Sequence, residues 1–371
     1  MKKIKTLWMG FILLCCLTTT SCNNDDKPTF PETEETNDPT GGYDMTGFVR
    51  GADVSWLTEM EASGRKFYDS KGKERECMEL LRELGMNAIR LRVWVDPENG
   101  WCSKEDVIAK AWRAHNLGYR LMIDFHYSDE WADPLDQFKP VAWEDHSVEQ
   151  LLEDISSHTK DVLSALKNLG INVEWVQVGN ETHSGMLFPD GKTDTQTGSE
   201  NFAKMITAGY DAVKEIYPEA QVIVHLDQGN DAYLYNKIFD GLSENGGKWD
   251  IIGMSLYPGE EPSKDNNLTE WNEIDKYGKT WQQLNKDCIA NMQALISKYN
   301  TKVMMCEIGI PWNYDEAEAF YTDFMTKAKK VEGCLGVFAW EPQCYAGWNG
   351  YQKGMFNDEG YPMNSLNAFK R

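Results

Sequence analysis

No block of lysine and arginine interleaved with aromatic residues occurs in the 371 residues, and the formal net charge is −22. A phosphate backbone would be repelled by that field, which excludes nucleic acid as a partner. No CxxC pair and no Cys/His cluster is present, so neither a zinc site nor a dithiol redox site is expected. Of the nine cysteines, Cys15, Cys16 and Cys22 lie near the N-terminus, and Cys77, Cys102, Cys288, Cys306, Cys334 and Cys344 are scattered. Six scattered thiols in a large domain make no dense disulfide framework. Most are expected in the core, with Cys334–Cys344, or Cys102 with a spatial neighbour, left open as bridges.

What is present begins with Met1-Lys2-Lys3-Ile4-Lys5 and an apolar stretch from Leu7 to Leu17, too short for a permanent bilayer crossing and patterned as an export signal. Thr19-Thr20-Ser21-Cys22, followed by Asn23-Asn24-Asp25-Asp26, resembles a bacterial lipoprotein signal, although Thr19 stands where Leu is usual. The resemblance implies a lipidated Cys22, membrane attachment without a transmembrane helix, and an outer-membrane lipoprotein exposed at the cell surface; ordinary cleavage nearby is the alternative. Residues 23–43 carry almost no apolar side chains and are expected as an acidic, disordered tether. The organisation is therefore a signal over 1–22, a tether over 23–43 and one folded domain over 44–371, with a monomer as the default.

Within that domain one unit repeats: a short apolar strand, a polar or aromatic loop, an amphipathic helix. The strands are predicted at Phe48–Asp53, Ala88–Trp94, Arg120–Phe125, Glu174–Gly179, Gln221–Leu226, Ile251–Leu256, Lys302–Glu307 and Leu335–Trp340. The helices are predicted at Lys73–Leu84, Lys104–Leu117, Val148–Leu169, Asn201–Tyr217, Ala232–Leu242, Thr280–Lys298 and Tyr314–Lys329, with a short Met363–Phe369 element last. Gly85, Gly118 and Gly170 follow helix ends, where a left-handed residue stops a helix most readily. Strands separated by helices pair in parallel, and eight of them close into an α/β fold, the (β/α)8 TIM barrel. A doubly wound open sheet is the alternative, and no glycine-rich phosphate fingerprint follows the first strand to favour it.

Barrel closure would bring together residues that end the strands: Asp53, Arg90, Arg92, Asp124, His126, Asn180, Glu181, Asp227, Tyr257, Glu307, Trp340 and Glu341. Polar residues gather at one end of the strands only, which marks a binding or catalytic face. Glu181 after strand four and Glu307 at the end of strand seven suit glycosidic cleavage, in which one carboxyl protonates the departing oxygen and another about 5 to 5.5 Å away attacks the anomeric carbon with retention. Each could instead be a solvated strand end or a salt-bridge partner. An arginine is expected to keep one of them ionised; both Arg90 and Arg92 face one side by parity, and Arg92, nearer the strand end, is placed ahead.

The runs RGADVS (Arg50–Ser55), NAIRLRVW (Asn87–Trp94), DFHYSD (Asp124–Asp129) with WADP (Trp131–Pro134), VGNE (Val178–Glu181) and GVFAWEP (Gly336–Pro342) resemble those of glycoside hydrolase family 53. These are endo-β-1,4-galactanases, and the resemblance covers about Gly47 to Phe369. It implies Glu181 as general acid/base, Glu307 as nucleophile, Asn180 on the sugar 2-hydroxyl, and Tyr257 beside Glu307. His126 and Asp53 would orient hydroxyls or carboxylates, and Trp340 would floor the central subsite. Trp348, with Trp94, Trp131 and Trp312, is a candidate for outer subsites or else packing. The implied partner is β-1,4-galactan and its oligosaccharides.

The chain departs from the family where some bacterial members carry a long calcium-binding loop after strand seven. Here only Ile308 to Glu316 precede the next helix, so calcium is doubtful and no cofactor or metal is expected. Two other functions stay open: a related retaining endo-glycanase acting on glucan, mannan or xylan, and a surface carbohydrate-binding protein without activity.

Overall fold

The computed structural model describes residues 38–263 and 266–370. The export signal, Cys22 and most of the expected tether lie outside the described residues. The compact unit starts at Asp38, earlier than expected. Residues 38–43 form a turn against the second helix: Arg82 Nη1 donates to the Pro39 carbonyl at 3.0 Å, and the Arg82 guanidinium lies 5.0 Å from the Tyr43 ring centre.

Eight strands form one closed parallel barrel in sequential order: β1 (Val49–Asp53), β2 (Ala88–Val93), β3 (Arg120–Phe125), β4 (Trp175–Val178), β5 (Gln221–Leu226), β6 (Ile251–Leu256), β7 (Lys302–Ile308) and β8 (Cys334–Ala339). They are buried on both faces almost throughout, as continuous apolar runs must be when helices cover a parallel sheet. The helices are α1 (Leu57–Ala62), α2 (Cys77–Glu83), α3 (Lys104–Asn116), α4 (Val148–Asn168), α5 (Gln196–Ile216), α6 (Ala232–Glu244), α7 (Trp281–Tyr299) and α8 (Ala317–Ala328). A 3-10 turn, Asn364–Phe369, occupies the place of a final helix.

Local chemistry sets the boundaries. Ser147 and Gln150 form a reciprocal capping box at the start of α4. Gly85, Gly118 and Gly170 stop α2, α3 and α4 at positive φ of 107°, 75° and 74°. Three helix starts differ from expectation by three residues or more, and α8 is one of them, beginning at Ala317 rather than Tyr314. Lys73–Glu76 is not helical, because Glu74–Arg75 pairs antiparallel with Phe67–Tyr68 and Glu76 becomes the N-cap of α2. Helix α5 begins at Gln196 rather than Asn201, because Thr195 caps it and Gly198 is accommodated in its first turn. All six cysteines of the domain are free thiols, so neither candidate bridge exists among the described residues.

The barrel interior is layered. Val49, Ala88, Met122, Trp175, Ile223, Ile251, Met304, Cys306 and Phe338 form an apolar plug distinct from the core between strands and helices. Burying each large side chain here is worth about 1.5–3 kcal/mol. Above the plug the inward positions turn polar: Asp53, Arg90, Arg92, Asp124, Gln177, His225, Ser255 and Glu307, all buried. The plug supports a charged layer beneath the mouth.

Candidate active site

Strand alternation alone would send only one of two neighbouring side chains toward the barrel axis. Two local irregularities break that rule where it matters. After β4, Gly179 has φ 82° and Glu181 sits in the left-handed region at φ 46°, ψ 51°, so Asn180 and Glu181 both line the mouth cavity. A non-glycine residue held there carries of order 1–2 kcal/mol of strain, which the surrounding structure must offset. In β7 the pairing with β6 runs Met254 to Met305 and then Ser255 to Glu307. Cys306 is the extra residue of a bulge, so Cys306 joins the apolar plug while Glu307 also faces inward.

One guanidinium organises the charged layer. Arg90 donates to Asp53 Oδ2 (2.6 Å), Asp124 Oδ2 (2.8 Å), Asn180 Oδ1 (3.0 Å) and Gln177 Oε1 (2.6 Å), and its Nη2 makes an ion pair with Glu307 Oε1 at 2.9 Å. The expected order of the two arginines is thereby reversed. Arg92, one pleat higher, pairs at 2.6 Å with Glu341, which follows β8 on the other side of β1. Its guanidinium lies 4.2 Å from the Trp131 ring centre, 5.0 Å from Trp56 and 5.2 Å from Trp94. Arg92 thus braces the aromatic wall from below, with Nε and Nη2 making no hydrogen bond and facing the rings' π clouds.

The cavity, ≈ 530 Å³, is bounded by Trp56, His126, Trp131, Ala132, Asp133, Asn180, Glu181, Tyr257, Glu307, Trp340, Asn349, Gly350, Tyr351 and Lys353. That volume lies in the range of small-molecule sites. Trp340 stands 4.7 Å from Tyr351 and 5.3 Å from Trp56, ring centre to ring centre, giving an aromatic wall suited to the C–H face of a pyranose.

The expected site residues divide into those that reach the cavity and those that do not. Asn180 reaches it, with Nδ2 donating to the Ala132 carbonyl at 2.8 Å and Oδ1 held by Arg90. Tyr257 reaches it and donates its hydroxyl to Glu307 Oε2 at 2.8 Å. His126 also lines it, but both ring nitrogens are engaged: Nδ1 accepts from the Ala132 amide (3.1 Å) and Trp94 Nε1 (3.2 Å), and Nε2 faces Asp124 at 3.1 Å. Asp53 is fully buried between Arg90 and Ser55, which leaves it no sugar to touch. Trp348 does not border the cavity: its ring packs on the core beside Arg65, whose guanidinium is 5.7 Å from the ring centre, and its neighbours Asn349 and Tyr351 face the cavity instead. Trp94 and Trp312 lie off the cavity as well, whereas Trp131 lines it.

Sequence reasoning missed Trp56, Tyr351 and Lys353, which sit in irregular loops with no periodicity to read. It also missed Gln177, His225 and Ser255, although each is a polar residue inside an apolar strand and on the inward parity.

The two carboxyls differ electrostatically. Burial raises Glu181 well above the ordinary carboxyl range, and the nearby charges of Glu307 and Asp227 push the same way. Burial also raises Glu307, to about 7, but Arg90 and the Tyr257 hydroxyl pull it down. Arg90 cannot pull further because its single charge is shared with Asp53 and Asp124, which push Glu307 up. When the cavity holds one proton, it therefore resides on Glu181 and leaves Glu307 ionised. A proton donor and a free carboxylate facing one aromatic cavity are the groups needed to break an acetal.

Known proteins share this architecture. The chain is similar to the arabinogalactan endo-β-1,4-galactanase of Cellvibrio japonicus, 30% identical over 371 residues, covering 89% of this chain and 92% of that protein. Its fold matches a structure of fungal β-1,4-galactanases with TM-score 0.77 and 25% identity, covering 87% of this chain and 99% of the other. The GH53 catalytic domain of Ignisphaera aggregans matches with TM-score 0.75 and 27% identity, covering 90% and 98%. The sequence pattern of the family spans residues 49–369, from the first residue of β1 to the last of the closing 3-10 turn. With both carboxyl-bearing strands inside that span, the whole barrel, and not a fragment of it, belongs to glycosyl hydrolase family 53.

Proposed function

We propose that this chain cleaves β-1,4-galactosidic linkages inside galactan or type I arabinogalactan, with retention of configuration. The observation that carries the reading is the unequal carboxyl pair, Glu181 raised and Glu307 held by Arg90 and Tyr257, against the wall of Trp340, Trp56 and Tyr351. The galactan specificity and the internal mode of attack rest on the related galactanases.

Glu307 attacks the anomeric carbon of a galactosyl unit resting on Trp340 while Glu181 gives its proton to the leaving oxygen. Asn180, pinned by Arg90 and the Ala132 carbonyl, keeps one Nδ2 hydrogen for the sugar 2-hydroxyl, a bond that strengthens as positive charge develops on the ring. Departure of the first sugar leaves a galactosyl ester on Glu307 and a carboxylate on Glu181. That carboxylate then takes a proton from water as the water attacks, and β product is released. Loss of negative charge at Glu307 during the first step relieves a repulsion that raised Glu181, so the Glu181 pKa falls and its carboxyl stays ionised, the form that serves as base in the second step.

Purified protein should release mixed galacto-oligosaccharides early from potato-type β-1,4-galactan and little from mannan or cellulose. Preferential cleavage of mannan or cellulose would move the assignment to another retaining endo-glycanase, and a single short product from the outset would mean attack from a chain end.

Tyr257→Phe should lower kcat/KM on the order of 10-fold to 100-fold, the worth of one hydrogen bond to a charged group. The bond from Tyr257 lowers the Glu307 pKa, so its loss raises that pKa and moves the acid limb of the kcat/KM profile to higher pH, with the alkaline limb in place. An acid limb that does not move would remove Tyr257 from this role.

A further inference from the structure

One cation borders the cavity, and the reaction above gives it no task. Lys353, in the segment after the 3-10 turn Trp348–Gly350, lines the same space as Glu307 and Trp340. Among the described residues around that space it is the only lysine or arginine. Its side chain is 13% exposed, and its ammonium is ion-paired with Glu261, which is 53% exposed.

Both ends of this contact are held by their own backbones. The Gln352 carbonyl accepts from the Trp312 amide at 2.9 Å, and Gly354 packs so tightly that a Cβ there would sit 1.9 Å from the Cys344 carbonyl oxygen. Lys353 lies between these two anchors. Opposite, in the loop after β6, Glu260 and Asn272 exchange both backbone hydrogen bonds, at 2.8 and 2.9 Å, and Asn266 Nδ2 donates to the Glu261 carbonyl at 2.8 Å. The flexible stem of a lysine is thereby confined: the ammonium stands 5.8 Å from the centre of the Tyr257 ring, whose hydroxyl holds Glu307.

An ammonium has three hydrogens to donate, and here one goes to Glu261. No other acceptor lies within hydrogen-bond distance of it among the described residues, so two hydrogens are left for a ligand. Charge decides what kind of ligand that is. Glu261 already offsets the ammonium, and Asp133, Glu181 and Glu307 line the same cavity, so an anionic sugar would be repelled. A neutral hydroxyl meets no such repulsion and offers the ammonium an oxygen. Position decides which sugar unit it is. Lys353 makes no ion pair with Glu181 or Glu307, so it stands beside the reacting centre and not within it.

We propose that Lys353 is a substrate-binding residue of the subsite adjoining the cleavage point, donating from its ammonium to hydroxyl oxygens of the neutral hexosyl unit next to the one attacked. Glu261 is its positioning residue. The inference rests on the function proposed above. A contact made away from the reacting centre acts on ground state and transition state alike. Lys353 therefore governs which bond of a chain is laid over Glu307 more than how fast that bond breaks.

The test is Lys353→Met, which keeps the stem beside Tyr257 and leaves Glu261 facing water, with Lys353→Arg as the control that keeps a cationic donor. Reducing-end-labelled β-1,4-linked pentasaccharides of galactose, mannose and glucose are given to each protein, and the lengths of the labelled fragments show which bond is cut. On the galactose substrate Lys353→Met should raise KM about 10-fold, the lower end for a hydrogen bond from a charged group, while kcat falls much less. The ratio of the two main labelled fragments should change with it, and Arg should move that ratio back toward the wild-type value. An unchanged ratio with an unchanged KM would overturn the proposal. Lower thermal stability with every fragment scaled down alike would overturn it too, and would make Lys353 only a tie between two loops. Wild-type cleavage of the mannose or glucose pentasaccharide in place of the galactose one would sink the substrate assignment alone; the fragment ratio of Lys353→Met on the sugar that is cut then decides the subsite by the same criterion.

Discussion

Replacing Glu307 by Gln should lower kcat on β-1,4-galactan by about 10⁴-fold or more, because a neutral amide cannot form the glycosyl ester and the two steps share that residue. Substrate binding should survive. Gln keeps an oxygen for Arg90 or the Tyr257 hydroxyl, and removing one negative charge leaves Arg90 still paired with Asp53 and Asp124. The variant should thus fold, since no buried charge is left without a partner. Reducing-end assays give the turnover and calorimetry with galacto-oligosaccharides gives the affinity. Wild-type turnover in this variant would remove Glu307 from the nucleophile's role, and lost affinity with normal thermal stability would make it chiefly a sugar-binding residue.

Glu181→Ala should show a loss that depends on the leaving group. On galactan the departing sugar alkoxide needs a proton, and the expected drop in kcat/KM is about 10²–10⁴-fold. An aryl β-galactobioside with an acidic phenol needs none, so its first step should run near the wild-type rate and the glycosyl-enzyme should accumulate as a burst. Azide, which requires no general base, should then enter the vacated space, restore turnover and yield a β-galactosyl azide. The alkaline limb of the pH profile should disappear for the aryl substrate, because the raised carboxyl that sets it has been removed. Equal losses on both substrates with no azide rescue would assign the acid/base role elsewhere.

Much of the scaffold was legible because its signals are local. Strand runs between helices, with glycines after Leu84, Leu117 and Leu169, lead to the eight-stranded barrel, and no observed strand end differs from the expected one by more than a single residue. The positions of Glu181, Glu307, Asn180 and Tyr257 at the mouth followed from strand order alone. What could not be read was anything set by register across the barrel. Arg90 and Arg92 are indistinguishable by parity, and only their heights in the closed barrel decide that Arg90 meets Glu307 and Arg92 meets Glu341. The bulge at Cys306 is invisible too, since strict alternation would put Cys306 and Glu307 on opposite faces.

Loops set the remaining differences. Trp348 was singled out as a flat ring near polar neighbours, but a left-handed pair at Gly347 and Asn349 turns the segment so that Tyr351 and Lys353 face the cavity. Trp56 had no distinguishing signal, and its place depends on Glu341, whose carboxylate accepts from the Trp56 backbone amide at 3.1 Å. The aromatic wall is therefore assembled by a buried ion pair, Arg92–Glu341, drawn from strands at opposite ends of the sequence.

Double displacement requires Glu307 to form a covalent bond to galactose inside this cavity. The direct measurement is inactivation with an activated 2-deoxy-2-fluoro-β-galactoside followed by mass spectrometry of the protease digest. One fluorosugar per chain on the peptide containing Cys306-Glu307-Ile308 is expected, and a stoichiometric label on any other carboxylate would make that residue, and not Glu307, the nucleophile.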